Sequence, residues 1–97
     1  MNSRFLSTAL EEFEVATEYY KEIDLELGLR FRISIADAIT SICLEPLLCP
    51  IYVDGIRRRV LLDFPYLIFY IPTSDEITII AVMHQSREPD YWKKRLD

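Results

Sequence analysis

The sequence holds two cysteines, one tryptophan and a single histidine in 97 residues. Two cysteines do not make a disulfide framework, and Cys43 and Cys49 read as free thiols in small buried positions. A metal centre needs more ligands than two thiols and one imidazole supply, so no metal or cofactor is expected. Long apolar runs are missing as well. The longest, Tyr66–Ile71 and Ile79–Met83, are far too short to cross a bilayer. The first ten residues alternate polar and apolar and lack the apolar stretch of a secretion signal. These absences point to a cytoplasmic protein without membrane attachment, and the length to a single domain over residues 1–97.

Half of the residues are apolar, an ordinary globular value. The net charge of −5 is spread unevenly. Residues 1–26 carry two basic and seven acidic groups; residues 57–97 carry seven basic and six acidic ones. The N-terminal part should repel polyanions, so an anion site belongs in the second half and direct DNA binding is not expected.

Thr8 and Glu11 fit a capping box, and a helix should follow. Phe13, Ala16, Tyr20 and Ile23 recur at helical spacing as its buried face, while Glu11, Glu14, Glu18 and Glu22 line a solvated or partner-facing stripe. Gly28 suits the end of that helix or the turn after it. A second helix is predicted from about Leu29 to Leu44, with Phe31, Ile35, Ala38, Ile39 and Ile42 as its seam. Pro46 and Pro50 close the helical half. Beyond them the chain reads as strands: Ile51–Val53 and Ile56–Leu62 around an Asp54-Gly55 turn, then Tyr66–Ile71, then Glu76–His84. Arg4–Ser7 could add a short edge strand. The fold class is therefore α+β, an N-terminal helical hairpin packed on a three- to four-stranded antiparallel sheet.

Strict alternation puts Ile77, Ile79, Ala81 and Met83 on one face of the last strand and Ile80 and Val82 on the other. Both sheet faces are apolar, and the hairpin covers one. The second must be covered by the tail with Tyr91 and Trp92 or by a partner polypeptide.

Glu18-x-Tyr20, Leu27-Gly28-Leu29-x-Phe31, Pro46 and Pro50 resemble the N-terminal half of RelE/ParE-superfamily toxins. The stronger likeness runs from Arg57-Arg58-Arg59 through Phe64-Pro65-Tyr66 to Tyr70, then from Ile79 through His84, Arg87, Pro89, Tyr91 and Trp92 to Arg95. The resemblance covers nearly the whole chain and implies a helical hairpin on an antiparallel sheet. It also implies a toxin of a type II toxin–antitoxin pair, neutralised by a small cognate antitoxin in a hetero-oligomer, with the antitoxin lying over the hairpin and the free sheet face. ParE-like members poison DNA gyrase; RelE-like members cut mRNA on the ribosome.

The resemblance is closer to the ParE-like side. RNA-cutting members usually carry an arginine where this chain has Tyr66-Leu67-Ile68, and they tend to be strongly basic, whereas this chain is acidic. Were the protein an endoribonuclease, Arg58, His84, Arg87 and Tyr91 are the candidates. That chemistry needs a base, an acid and cations for the phosphate, and histidine is the side chain that titrates nearest neutral pH. For target or antitoxin contact the candidates are Arg57, Arg58, Tyr66, Tyr70, Tyr91, Trp92 and Arg95. Three readings follow: a gyrase-binding toxin, a ribosome-dependent mRNA interferase, or an inactive relic that still binds its antitoxin.

Overall fold

The computed structural model describes residues 1–88 and 90–96; Pro89 of the C-terminal motif and Asp97 lie outside the described residues. The element order is β1 (Asn2–Phe5), α1 (Ser7–Ile23), α2 (Leu25–Leu44), β2 (Ile51–Val53), β3 (Ile56–Val60), β4 (Tyr66–Pro72), β5 (Glu76–His84) and a turn of 3-10 helix at Lys93–Leu96. Two helices thus precede most of the sheet, as expected. The sheet has five strands in the order β1-β5-β4-β3-β2. The strand beyond the predicted meander is β1, and it pairs parallel to β5, from Asn2 opposite Glu76 to Phe5 opposite Ile79. No described helix is long and apolar enough to cross a membrane.

The strand-to-helix junction corrects the expected capping box. Leu6 still donates its N–H to the Ile79 carbonyl at 3.0 Å while its own carbonyl accepts the Leu10 N–H at 2.9 Å. Sheet pairing therefore runs directly into the helix. Leu6 takes the cap position with no side-chain cap, and Thr8 falls inside the first turn. The link to α2 is Asp24 alone, whose carboxylate accepts the Glu26 N–H at 2.8 Å and caps the second helix. So tight a tip leaves Ile23, predicted to be buried, 60% exposed.

Gly28 is not a helix end. It lies in the first turns of α2 and is buried. A Cβ built there would stand 2.3 Å from the Lys21 Cγ and 3.0 Å from the Lys21 backbone nitrogen and Cα. The glycine is what allows the two helices to touch just after so short a turn. Gly28→Ala is expected to destabilise by about 1–2 kcal/mol, overpacking outweighing the gain in helix propensity. A urea titration of the two proteins measures it.

The α2 seam is as predicted for Phe31, Ile35, Ala38 and Ile42, all buried, with Ile39 partly so. On α1 the buried positions are Ala9, Ala16 and Thr17. With Leu61, Ile68, Tyr70, Ile77, Ile79 and Val82 they make the core between hairpin and sheet. Tyr20, Phe31, Phe64 and Tyr66 close one end of it, ring to ring at 5.0–6.2 Å. The Asp54-Gly55 turn forms as expected, with φ of 49° and 78°.

The strict alternation expected along β5 fails. Phe69 opposes Ala81 and Tyr70 opposes Ile79, so Ile80 is an extra residue, a β-bulge. Below the bulge Ile77 and Ile79 face the helices; above it Val82 does. Ile80, Ala81 and Met83 face the other way, with Ile56, Leu67 and Phe69. That second face is not bare. Trp92 lies on it fully buried, 4.7 Å from the Phe69 ring and 6.1 Å from that of Tyr52. Of the two covers considered for this face, the chain's own tail provides one.

Candidate functional site

At one end of β5, α1 crosses close to the sheet and the C-terminal tail returns beside it. Between them opens a cavity of about 430 Å³. From α1 it is lined by Thr8, Glu11, Glu12 and Val15, from the sheet by Tyr66, Val82 and His84, and beyond β5 by Arg87 and Arg95.

Glu12 organises this cavity. Its carboxylate accepts the Val82 backbone N–H at 3.1 Å and two bonds from the Arg95 guanidinium, at 2.8 and 3.0 Å. It also accepts the Tyr91 hydroxyl. Arg87 stands 3.7 Å away, its guanidinium carbon over the Tyr91 ring, 3.9 Å from its centre. Arg95 also donates to the Ile80 carbonyl at 3.1 Å. The Val82 amide is free to turn toward Glu12 because β5 bulges just before it. The side chains of Glu12 and Arg95 are only 13% and 16% exposed, so the fork-to-carboxylate pair works in a largely desolvated place.

The electrostatics follow from this packing. The bond to Glu12, against burial, pushes the Arg95 guanidinium above its usual value. Burial, and then the bond to Glu12, push the Tyr91 phenol well above the ordinary tyrosine range. Burial raises Tyr70 likewise. A phenol whose folded value is raised holds its proton when the unfolded chain has lost it. Its contribution to stability is complete below the unfolded value of 10 and disappears as pH climbs through the folded one. Stability is therefore expected to fall above pH 10. Tyr91→Phe should make that fall shallower, as read from urea midpoints at about pH 9, 10 and 11.

The sequence-predicted residues divide into two groups. His84, Arg87, Tyr91, Arg95 and Tyr66 are brought together around Glu12. The others are not. Arg58 is directed onto the Tyr52 ring at 5.1 Å, on the strand at the far edge of the sheet. Arg57 donates to the carbonyls of Leu47 and Cys49 at 3.0 and 2.6 Å and pins the loop after α2. Tyr70 is fully buried and donates to the Pro46 carbonyl at 2.9 Å. Trp92 is core. His84 accepts at Nδ1 from the Ser86 backbone N–H at 3.0 Å. That bond fixes the neutral ring as the Nε2–H tautomer, leaving no free lone pair for a base at the outer nitrogen.

Glu12 was not among the sequence candidates, although a signal for it existed. Ala9, Glu12, Ala16 and Tyr20 fall on one helical stripe, so Glu12 is a carboxylate set in an otherwise apolar seam. A buried carboxylate requires a cation, and the acidic N-terminal half offers few.

A helical hairpin on a five-stranded sheet, with a cationic cluster between the first helix and the C-terminal tail, defines a small α+β protein of the RelE/ParE toxin type. A family model described as ParE toxin of type II toxin-antitoxin system, parDE, matches residues 4–89, and the chain belongs to that family. A solved structure titled "Chromosomal ParDE TA system from P. aeruginosa" has the same fold. The TM-score is 0.75 at 17% identity, over 87% of this chain and 95% of that one. No curated protein matches the sequence.

Proposed function

We propose that this ParE-type toxin arrests growth by binding a protein target, DNA gyrase in the first place, and that a small cognate antitoxin neutralises it in a hetero-oligomer. The observation that carries this reading is the Glu12 cluster. Cleavage of RNA through its own 2′-hydroxyl needs a base, an acid and cations free to meet the phosphate. Here Arg95 is held by two bonds to Glu12, Tyr91 donates its hydroxyl hydrogen bond to the same carboxylate, and His84 already accepts at Nδ1. Of the candidate arginines, Arg58 lies elsewhere and Arg87 stands 3.7 Å from the same carboxylate. Such a cavity disfavours the interferase reading and leaves protein recognition.

Purified protein should inhibit gyrase supercoiling or trap its cleaved complex, while induced cells keep their transcripts intact. No inhibition at high excess removes gyrase as the target. Transcripts cut within minutes of induction would restore the interferase.

The tail's cover over the second sheet face supports placing the antitoxin on the hairpin instead. Leu25, Leu29 and Ile33 stand one helical turn apart along α2 and are 67%, 52% and 56% exposed. Beside them a groove of about 470 Å³ runs between α2 and β1. The double change Leu29→Glu and Ile33→Glu should leave the melting curve nearly unchanged and weaken antitoxin binding at least about tenfold. Isothermal titration with the co-encoded small protein tests this; undiminished affinity would move the contact elsewhere.

A further inference from the structure

Four hydrogen bonds fill the lone-pair sites of Glu12, and one further cation stands beside them. A backbone amide from β5, a phenol and two guanidinium nitrogens bond to it, and a second arginine waits at 3.7 Å. Two carboxylate oxygens can absorb them, but amides, hydroxyls and arginine forks gathered on one point are equally the donor set for a phosphate-type oxyanion. The donors all come from β5 and the segment after it. The acceptor comes from α1. Receptor and occupant therefore belong to separate parts of the fold, and the cavity of about 430 Å³ in front gives a ligand access to both.

We propose that Val82 N–H, Arg87, Tyr91 and Arg95 form a receptor for a phosphate-type oxyanion, and that Glu12 fills it as an intramolecular substitute that silences the cavity toward phosphodiesters. Glu11 at the cavity wall adds a second negative charge against an incoming anion. The proposal goes beyond target binding and does not depend on it, since a protein silenced in this way can bind gyrase or not.

The test uses the full chain as wild type, Glu12→Gln, and Glu12→Gln combined with Arg87→Ala. Two probes are titrated at low salt: inorganic phosphate, and a short single-stranded oligouridylate. The wild type should show no saturable binding of either. Glu12→Gln should bind at least about tenfold more tightly, with a salt slope for the RNA of about −0.7 per phosphate neutralised. Adding Arg87→Ala should abolish the gain. Stronger binding of oligouridylate than of phosphate assigns the receptor to phosphodiesters, and equal binding assigns it to the free anion; both outcomes support the receptor. A folded Glu12→Gln that binds no better than wild type overturns it, as does a gain indifferent to Arg87. If Glu12→Gln does not fold, Glu12→Asp, which draws the charge back on a shorter arm, is measured in its place. If neither folds, Glu12 is a structural tie and the proposal fails.

Discussion

Trp92→Ala is expected to lower stability by about 3–5 kcal/mol, the range for removing a large buried aromatic side chain. In a chain of this size that corresponds to a fall in Tm of about 15 °C or more. The expectation rests on where the indole lies. It is fully buried, against Phe69 at 4.7 Å and Tyr52 at 6.1 Å, over a sheet face made of Ile56, Leu67, Ile80, Ala81 and Met83. Without it, among the described residues that face keeps the aliphatic and tyrosine side chains at its rim, and the tail loses the fully buried anchor it has there. The damage should extend past the cavity left behind, because Tyr91 and Arg95, on either side of the tryptophan, are the tail's ties to Glu12. Leu62→Ala is the control. Leu62 is an apolar residue of comparable hydrophobicity but completely exposed, and its loss should be nearly silent. Thermal melts followed by circular dichroism separate the two. A Trp92→Ala protein that melts within a few degrees of wild type would mean that the tail does not hold the sheet.

The tail also shows which parts of this fold the sequence could disclose. Periodicity placed the seam of α2 because Phe31, Ile35, Ala38 and Ile42 repeat at helical spacing and all four are buried. Asp54-Gly55 announced its turn because its backbone angles favour those residue types. Local signals failed wherever a distant segment decided the outcome. The capping box at Thr8 was overruled by a hydrogen bond from Leu6 to Ile79, more than seventy residues away in the chain. Gly28 looked like a breaker but serves a close approach of two helices. The β5 bulge at Ile80 cannot be read from an unbroken run of apolar residues, and it is the bulge that turns Val82 toward Glu12. The site shows the same division. His84, Arg87, Tyr91 and Arg95 were conspicuous as polar residues near one another in sequence. Glu12 was hidden among six other acidic residues of the first 26, although the other residues on its helical stripe are apolar.

The packing gives Glu12 two duties. It neutralises the cations of the cavity, and it ties α1 to the tail that seals the opposite sheet face. A partner that displaced α1 at its first turns would therefore loosen the tail as well, since Tyr91 and Arg95 share the same acceptor. One carboxylate thus bonds to groups that serve both sides of the sheet, with the bulge at Ile80 in the strand between them.

Glu12→Leu or Arg95→Met alone should each destabilise by about 3 kcal/mol, toward the lower end of the range for breaking a buried pair because both groups keep slight solvent contact. The sign of the combined change is the more informative result. Removing the carboxylate leaves a guanidinium in a largely desolvated cleft with the Ile80 carbonyl and the Tyr91 ring as its partners among the described residues. Removing the guanidinium leaves a carboxylate held by Tyr91 and the Val82 amide but with its main counter-charge gone. Removing both deletes the desolvation penalty along with the attraction, so Glu12→Leu with Arg95→Met should be less destabilised than either single variant, by about 1–2 kcal/mol. Urea unfolding of the four proteins closes the cycle. If the losses simply add, the two residues act on stability independently, and the 2.8 and 3.0 Å contacts between them carry no coupling.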